Sequence, residues 1–124
     1  LTKIKIKNIE DMINAANILL KLGVKNVLIK GGHRKSKFMK DILLNKKEIK
    51  IFKNKKIKTR NTHGTGCTLS SALATCLSQK MNINKACKIS LKYVDRAIIS
   101  APGYGKGFGP LNHLVSLNLR NINA

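Results

Sequence analysis

Acidic side chains are scarce. Glu10, Asp11, Asp41, Glu48 and Asp95 stand against 25 lysines and arginines in 124 residues, a net charge of +20. None of the five belongs to an acidic cluster suited to Mg²⁺, so no metal-binding residue is assigned to the chain. Aromatic residues make up only 4%. No basic stretch interleaves them as a single-strand nucleic-acid binder would require. Lysine is spread through every segment beside abundant Asn and Ile, the signature of AT-rich codons, and a nucleic-acid partner is not expected. A basic surface still attracts a polyanion such as a nucleotide, and a non-catalytic basic binding module is the alternative from another functional class. No apolar run reaches the 18 residues of a membrane span, and Leu1 to Asn8 alternate Lys with Ile without the apolar block of a signal peptide. A soluble, cytoplasmic protein is the expectation. Cys67, Cys76 and Cys87 have no CxxC spacing and are odd in number, which argues against a disulfide framework or a zinc site.

A hydrophobic fraction of 43% is ordinary for a chain that buries a core, and the length suits one domain. Asn8 followed by Asp11 predicts a helix start with a capping box. Ile9, Met12, Ile13, Ala16, Leu19 and Leu20 then recur at helical spacing up to a stop at Gly23. Val27-Leu28-Ile29 reads as a strand buried on both faces, ending in Lys30-Gly31-Gly32-His33. Helix, turn, buried strand and glycine loop predict an α/β protein with a parallel sheet. Arg34 to Lys40 reads as a polar loop. Asp41–Leu44 and Ile49–Phe52 form a hairpin around Asn45-Lys46-Lys47-Glu48, and Ile57 falls in a further short strand. Helices are expected over Thr65–Gln79 and about Ile83–Ala101, with Asn82 or Asn84 capping the second. The glycine-dense tail Pro102–Pro110 excludes a regular element.

The strongest motif is Gly64-Thr65-Gly66-Cys67 opening an amphipathic helix. Glycines let the backbone turn sharply and gather successive N–H groups into one concavity, to which the helix adds its unpaired amides and dipole. Such a cradle holds a phosphate or a transferring phosphoryl group. It is not the Gly-Lys-Ser/Thr type of phosphate loop, and a tight connection with no ligand has the same sequence. Cys67 lies where a helix start favours an anion. Cys76, nine residues on, falls about 180° around the helix at 100° per residue. Cys76 and Cys87 therefore read as small core residues and only Cys67 as chemical. Lys30, at the carboxyl end of a strand, is placed to reach a phosphate as a point charge; a solvated lysine would occupy the same position. The histidines have no metal-ligand spacing and read as loop hydrogen-bonders.

Val27-Leu28-Ile29-Lys30-Gly31-Gly32-His33, then Asn61-Thr62-His63-Gly64-Thr65-Gly66-Cys67-Thr68-Leu69-Ser70-Ser71-Ala72, and the tail Gly105-Lys106-Gly107-Phe108-Gly109-Pro110-Leu111-Asn112-His113, together resemble the hydroxymethylpyrimidine/phosphomethylpyrimidine kinases of thiamine biosynthesis. The similarity runs in order through nearly the whole chain. It implies the C-terminal portion of a ribokinase-like three-layer α/β/α fold with a mostly parallel sheet and a hairpin, residues 1–124 being part of a single kinase domain. It implies MgATP-dependent phosphorylation of hydroxymethylpyrimidine and then of its monophosphate. By resemblance the amides of Gly64, Thr65, Gly66 and Cys67 stabilise the transferring group and Cys67 is the catalytic base. Lys30 contacts nucleotide phosphate, and Lys92, in Leu91-Lys92-Tyr93, is a further phosphate contact. Hydroxyethylthiazole kinases share the cysteine and are the nearest rival. Pyridoxal kinases of the same superfamily would be expected to carry aspartate at position 67.

Family members are roughly twice this length. The chain starts at Leu1 rather than Met, and the resemblance puts the missing part on the N-terminal side. That half would carry most of the pyrimidine pocket and the acidic metal-binding residues. The 124-residue segment alone is accordingly expected to be inactive and poorly soluble, to need its N-terminal complement, and to belong to a protein that is oligomeric when complete.

Overall fold

The computed structural model describes residues 1–31 and 37–116. They form two compact units, Leu1–Lys56 and Ile57–Ala124.

In the first unit, helix α1 spans Ile9–Lys21. Asn8 accepts from the Asp11 N–H at 2.8 Å while Asp11 Oδ2 accepts from the amides of Lys7 and Asn8, so the capping box forms as its spacing predicts. The helix stops where Gly23 takes φ +98° and returns its N–H to the Leu20 carbonyl at 3.0 Å. Strands β1 (Asn26–Ile29), β2 (Phe38–Asn45) and β3 (Ile49–Lys55) follow. Ala16 of α1 packs with Val27 and Leu44, and Ile13, Leu19, Leu20 and Ile29 surround that cluster.

The sheet departs from the sequence expectation. Its order is β1-β2-β3 and both pairings are antiparallel, Ile29 facing Ile42 and Leu44 facing Ile49. Adjacent strands joined by short connections pair this way, whereas a parallel partner needs a longer crossover. Among the described residues the only parallel pairing is an isolated bridge between His63 and Pro110. β1 is an edge strand here; Val27 is buried, but Leu28 and Ile29 are only partly so, not enclosed on both faces. Ile57 lies in no strand. Phe38, Met39 and Lys40, expected in a loop, begin β2. The hairpin forms as anticipated, because the Asn45 side chain accepts from the amides of Lys47 (2.8 Å) and Glu48 (3.0 Å) and closes the turn.

In the second unit, α2 spans Thr65–Ser78 and α3 spans Ile83–Ile99. Cys76, Ala86 and Ile89 form the shared core, with Leu73 and Met81 against it. Asn82, not Asn84, caps α3, accepting from the Lys85 N–H at 2.9 Å. The turn between the helices is a left-handed C-cap: Met81 N–H reaches Cys76 O at 3.3 Å and Lys80 N–H reaches Leu77 O at 2.9 Å. Lys80 therefore occupies, at φ +59°, the position that Gly23 fills after α1. A side chain there is strained by about 1 kcal/mol. Lys80→Gly should raise stability by about 0.5–1 kcal/mol, measured as a shift in the urea midpoint without a change in slope. A loss of stability would mean that the lysine side chain makes a compensating contact.

Candidate active site

The segment Asn61–Cys67 begins with irregular backbone tied to the tail. His63 N–H donates to the Gly109 carbonyl at 3.3 Å, and Arg60 reaches the Lys106 carbonyl at 3.4 Å. Gly109 is buried against the Asn61 side chain. A Cβ on Gly109 would overlap that carboxamide and lie 3.2 Å from the Tyr104 carbonyl oxygen, so a larger residue would require the Asn61 side chain to move and the loop to give slightly.

Gly64 is the N-cap of α2, at φ +79° and ψ 6°, with no side chain to accept a helix amide. Thr65 N–H turns back to Thr62 O at 3.4 Å. Thr68 closes the first turn on Gly64 O twice, through its N–H at 2.9 Å and its hydroxyl at 2.8 Å. The amides of Gly66 and Cys67 lie between these bonds, among the helix-start donors that have no intrahelical acceptor. The first turn carries no acidic side chain to compete for them. Gly64, Thr65, Gly66 and Cys67 thus come together as one amide-lined helix start, which can bind an anion through N–H groups and the helix dipole.

A groove of about 600 Å³ adjoins this helix start, bounded by α2, α3 and the tail. Gly64, Cys67 and Thr68 lie at one end; Ala72, Cys76 and Ile89 supply apolar wall; Ser71, Thr75, Ser90, Tyr93 and His113 supply polar edges. The volume suits a small organic ligand. Tyr93 Oη donates to the His113 carbonyl at 2.9 Å and Asn112 N–H to the Ala97 carbonyl at 3.0 Å, which fix the tail along α3.

Cys67 is exposed while Cys76 and Cys87 are buried, as expected of two core cysteines and one outside the core, although Cys67 and Cys76 both line the groove. Burial pushes the Cys87 thiol from 9.0 to about 11, with the neighbouring Cys76 adding to the effect. Lys92 is exposed on α3 and is not among the residues lining the groove, whereas its neighbour Tyr93 is.

Lys30 stands apart from these residues in sequence and belongs to the first unit. Its ammonium is held by Asp41 at 2.6 Å. Gly32 and His33, the remainder of its block, lie outside the described residues. Sequence reasoning missed Ser90, Tyr93 and His113 as groove residues, because each lies on a helix or tail brought there only by tertiary packing. It also left Asp41 without a role, although an acid inside Asp41-Ile42-Leu43-Leu44 is the kind of buried polar residue that demands a partner.

The description "Phosphomethylpyrimidine kinase" belongs to a family model that matches residues 1–112. The chain belongs to this family. It is 40% identical over 116 residues to the thiamine biosynthesis bifunctional protein ThiED of Geobacter sulfurreducens, covering 94% of this chain and 24% of that one. It is 33% identical to a hydroxymethylpyrimidine/phosphomethylpyrimidine kinase of Staphylococcus aureus, covering 98% of this chain and 45% of the relative. Among solved structures, the Staphylococcus aureus pyridoxal kinase in complex with AMP-PCP matches with a TM-score of 0.84 at 26% identity, over 88% of this chain and 40% of the other. The Bacillus subtilis pyridoxal kinase in an ADP complex matches with a TM-score of 0.81 at 29% identity, over 87% of this chain and 42% of the other. The chain therefore spans less than half the length of these relatives, and its α/β architecture is that of the corresponding part of kinases in this phosphomethylpyrimidine and pyridoxal group.

The cysteine assignment generates a labelling prediction. Under native conditions an alkylating reagent should modify Cys67 alone, with Cys76 and Cys87 reacting only on unfolding, as read by peptide mass spectrometry. Because the folded-state value of Cys87 is raised, its neutral thiol stabilises the fold below about pH 9, and that contribution is lost as pH rises towards about 11. Cys87→Ala should flatten the alkaline decline of stability in this window relative to the unsubstituted chain, whatever its effect at neutral pH.

Proposed function

We propose that residues 1–124 form the C-terminal part of a single kinase domain that phosphorylates hydroxymethylpyrimidine and its monophosphate with ATP as donor. The observation that carries this reading is the uncapped start of α2, where the Gly66 and Cys67 amides and the exposed Cys67 side chain meet at the end of a ligand-sized groove. Amides fixed before the reaction can stabilise the charge of a transferring phosphoryl group without reorganising. Cys67 would stand near the accepting oxygen as the base. Lys30 would meet a nucleotide phosphate, with Lys92 as a further contact.

A thiol suits the second of two phosphorylations. The acceptor is then a phosphate monoester, already largely ionised near neutral pH because its second pKa is about 6. Strong base assistance is unnecessary there, and a carboxylate at position 67 would repel the incoming anion.

Mg²⁺ is typical of such kinases, but the donor set of this chain does not fit it. Among the described residues no group of three or more His, Cys, Asp and Glu side chains comes together. Asp11 caps α1, and Asp41 is occupied by Lys30 and the Gly31 amide. Metal ligands would come from outside this chain.

The pyridoxal kinases among the structural neighbours favour one second reading, that the acceptor is pyridoxal. A chimera joining the N-terminal part of the Staphylococcus aureus pyrimidine kinase to residues 1–124 separates the two. Hydroxymethylpyrimidine-dependent ADP release is expected from the chimera, none from the 124-residue chain alone, and a drop of about 10²-fold or more for Cys67→Ala. Faster turnover of pyridoxal would support the second reading; no ADP release with either acceptor would remove both. In the same chimera, Cys67→Asp should impair the second phosphorylation more than the first, and equal losses would dispose of the electrostatic rationale for the thiol.

A further inference from the structure

We propose that Asp41 is a positioning residue for Lys30, fixing the ammonium at the end of β1 for an anionic phosphate. The proposal rests on the reading of Lys30 as a nucleotide-phosphate contact. Asp41 is 0% exposed, in line with Ile42, Leu43 and Leu44 on β2, where a carboxylate is costly unless its oxygens are matched by donors. Both oxygens are matched. Oδ2 accepts from Lys30 Nζ at 2.6 Å, and Oδ1 accepts from the Gly31 N–H at 2.9 Å.

The two donors are successive residues, and the sheet register puts them there. Ile29 faces Ile42 across the β1–β2 ladder, so the next residue of β1 arrives beside Asp41. Gly31 completes the arrangement, since a Cβ at this position would overlap the Lys40 carbonyl group. Only glycine allows the chain to pass close enough to β2 to present its amide to the carboxylate.

The Lys30 side chain remains 38% exposed. An ammonium has three donor directions; one is spent on Asp41, and among the described residues no second acceptor meets the others, which could turn to an anion at the strand end. A buried, doubly hydrogen-bonded carboxylate anchors Lys30 at this position. Anchoring lowers the entropy lost when a phosphate binds, so the effect belongs to nucleotide affinity more than to turnover.

The test combines a mutant cycle with chemical labelling. Asp41→Asn keeps an oxygen for the Gly31 amide but removes the charge that holds Lys30. In the chimera it should raise the KM for ATP on the order of tenfold, with a smaller change in kcat and in the KM for the pyrimidine. In a Lys30→Ala background the same substitution should leave the KM for ATP unchanged. Additive effects of the two substitutions would overturn the positioning role, because a purely structural Asp41 would act with or without Lys30. Acetylation of the chimera gives an independent readout. Lys30 should be modified more slowly than exposed Lys21 and Lys25, and Asp41→Asn should abolish the difference. Equal rates in the unsubstituted chimera would overturn the proposal even if Asp41→Asn fails to fold. Should Lys30→Ala leave the KM for ATP untouched while labelling shows Lys30 protected, the nucleotide reading of Lys30 fails and the role proposed for Asp41 in binding falls with it, leaving only a structural anchor.

Discussion

A helix that starts on glycine leaves its first amides without a side-chain acceptor, and in this chain that omission is selective. Asn8 caps α1 and Asn82 caps α3, each accepting a backbone N–H three residues on. Gly64 offers α2 no side-chain acceptor, and its φ of +79° is a backbone conformation that a capping Asn or Ser would adopt only with strain. Thr68 partly offsets the deficit by bonding Gly64 O through both its amide and its hydroxyl. The rest of the second unit supports this exposed start: the tail is held to His63 and α3 by backbone bonds, and Gly109 packs against the Asn61 side chain. Local stability is thus withheld at the one helix start where a bound anion could supply the missing acceptor.

The first unit solves the complementary problem of presenting a single cation from a surface crowded with lysines. Its solution is a buried carboxylate. Asp41 binds the ammonium and the next backbone amide together, so it fixes both the charge and the strand end that carries it. Both devices depend on a glycine, Gly64 for its left-handed φ of +79° and Gly31 for its close approach to Lys40 of β2, and each leaves a donor for a ligand. They differ in what supplies the order, a helix start in one unit and a β-ladder in the other.

Features governed by neighbours in sequence were legible without coordinates. Asn8 with Asp11, Gly23, the Asn45 turn and the burial of Cys76 against the exposure of Cys67 all follow from spacings of a few residues. Features set by distant partners were not. A strand such as Val27–Ile29 does not declare the direction of its neighbour, so the antiparallel β1–β2 pairing was missed. Lys80 gave no sign of a left-handed cap because its side chain is the wrong one for it; the helix ends there through Cys76, Leu77 and Met81. The glycine-led helix start from Gly64 to Cys67 was readable, whereas the groove beside it depends on how α3 and the tail pack, which placed Tyr93 and His113 beyond sequence reasoning.

What the chain leaves open is consistent with its share of the relatives' length. Ile49 and Ile51 of β3 continue the face that carries buried Ile42 and Leu44 on β2, yet are 52% and 47% exposed. β1 has a strand on only one side among the described residues. Aliphatic side chains left half in water on an otherwise buried face are a destabilising feature that further polypeptide would relieve. The same requirement follows from the chemistry: donors for phosphate are plentiful here, while oxygen donors for a divalent ion are committed elsewhere or scattered. On the kinase reading proposed for the Gly64–Cys67 turn, acidic residues from outside these 124 would have to complete the site, with the turn as its anion-binding part.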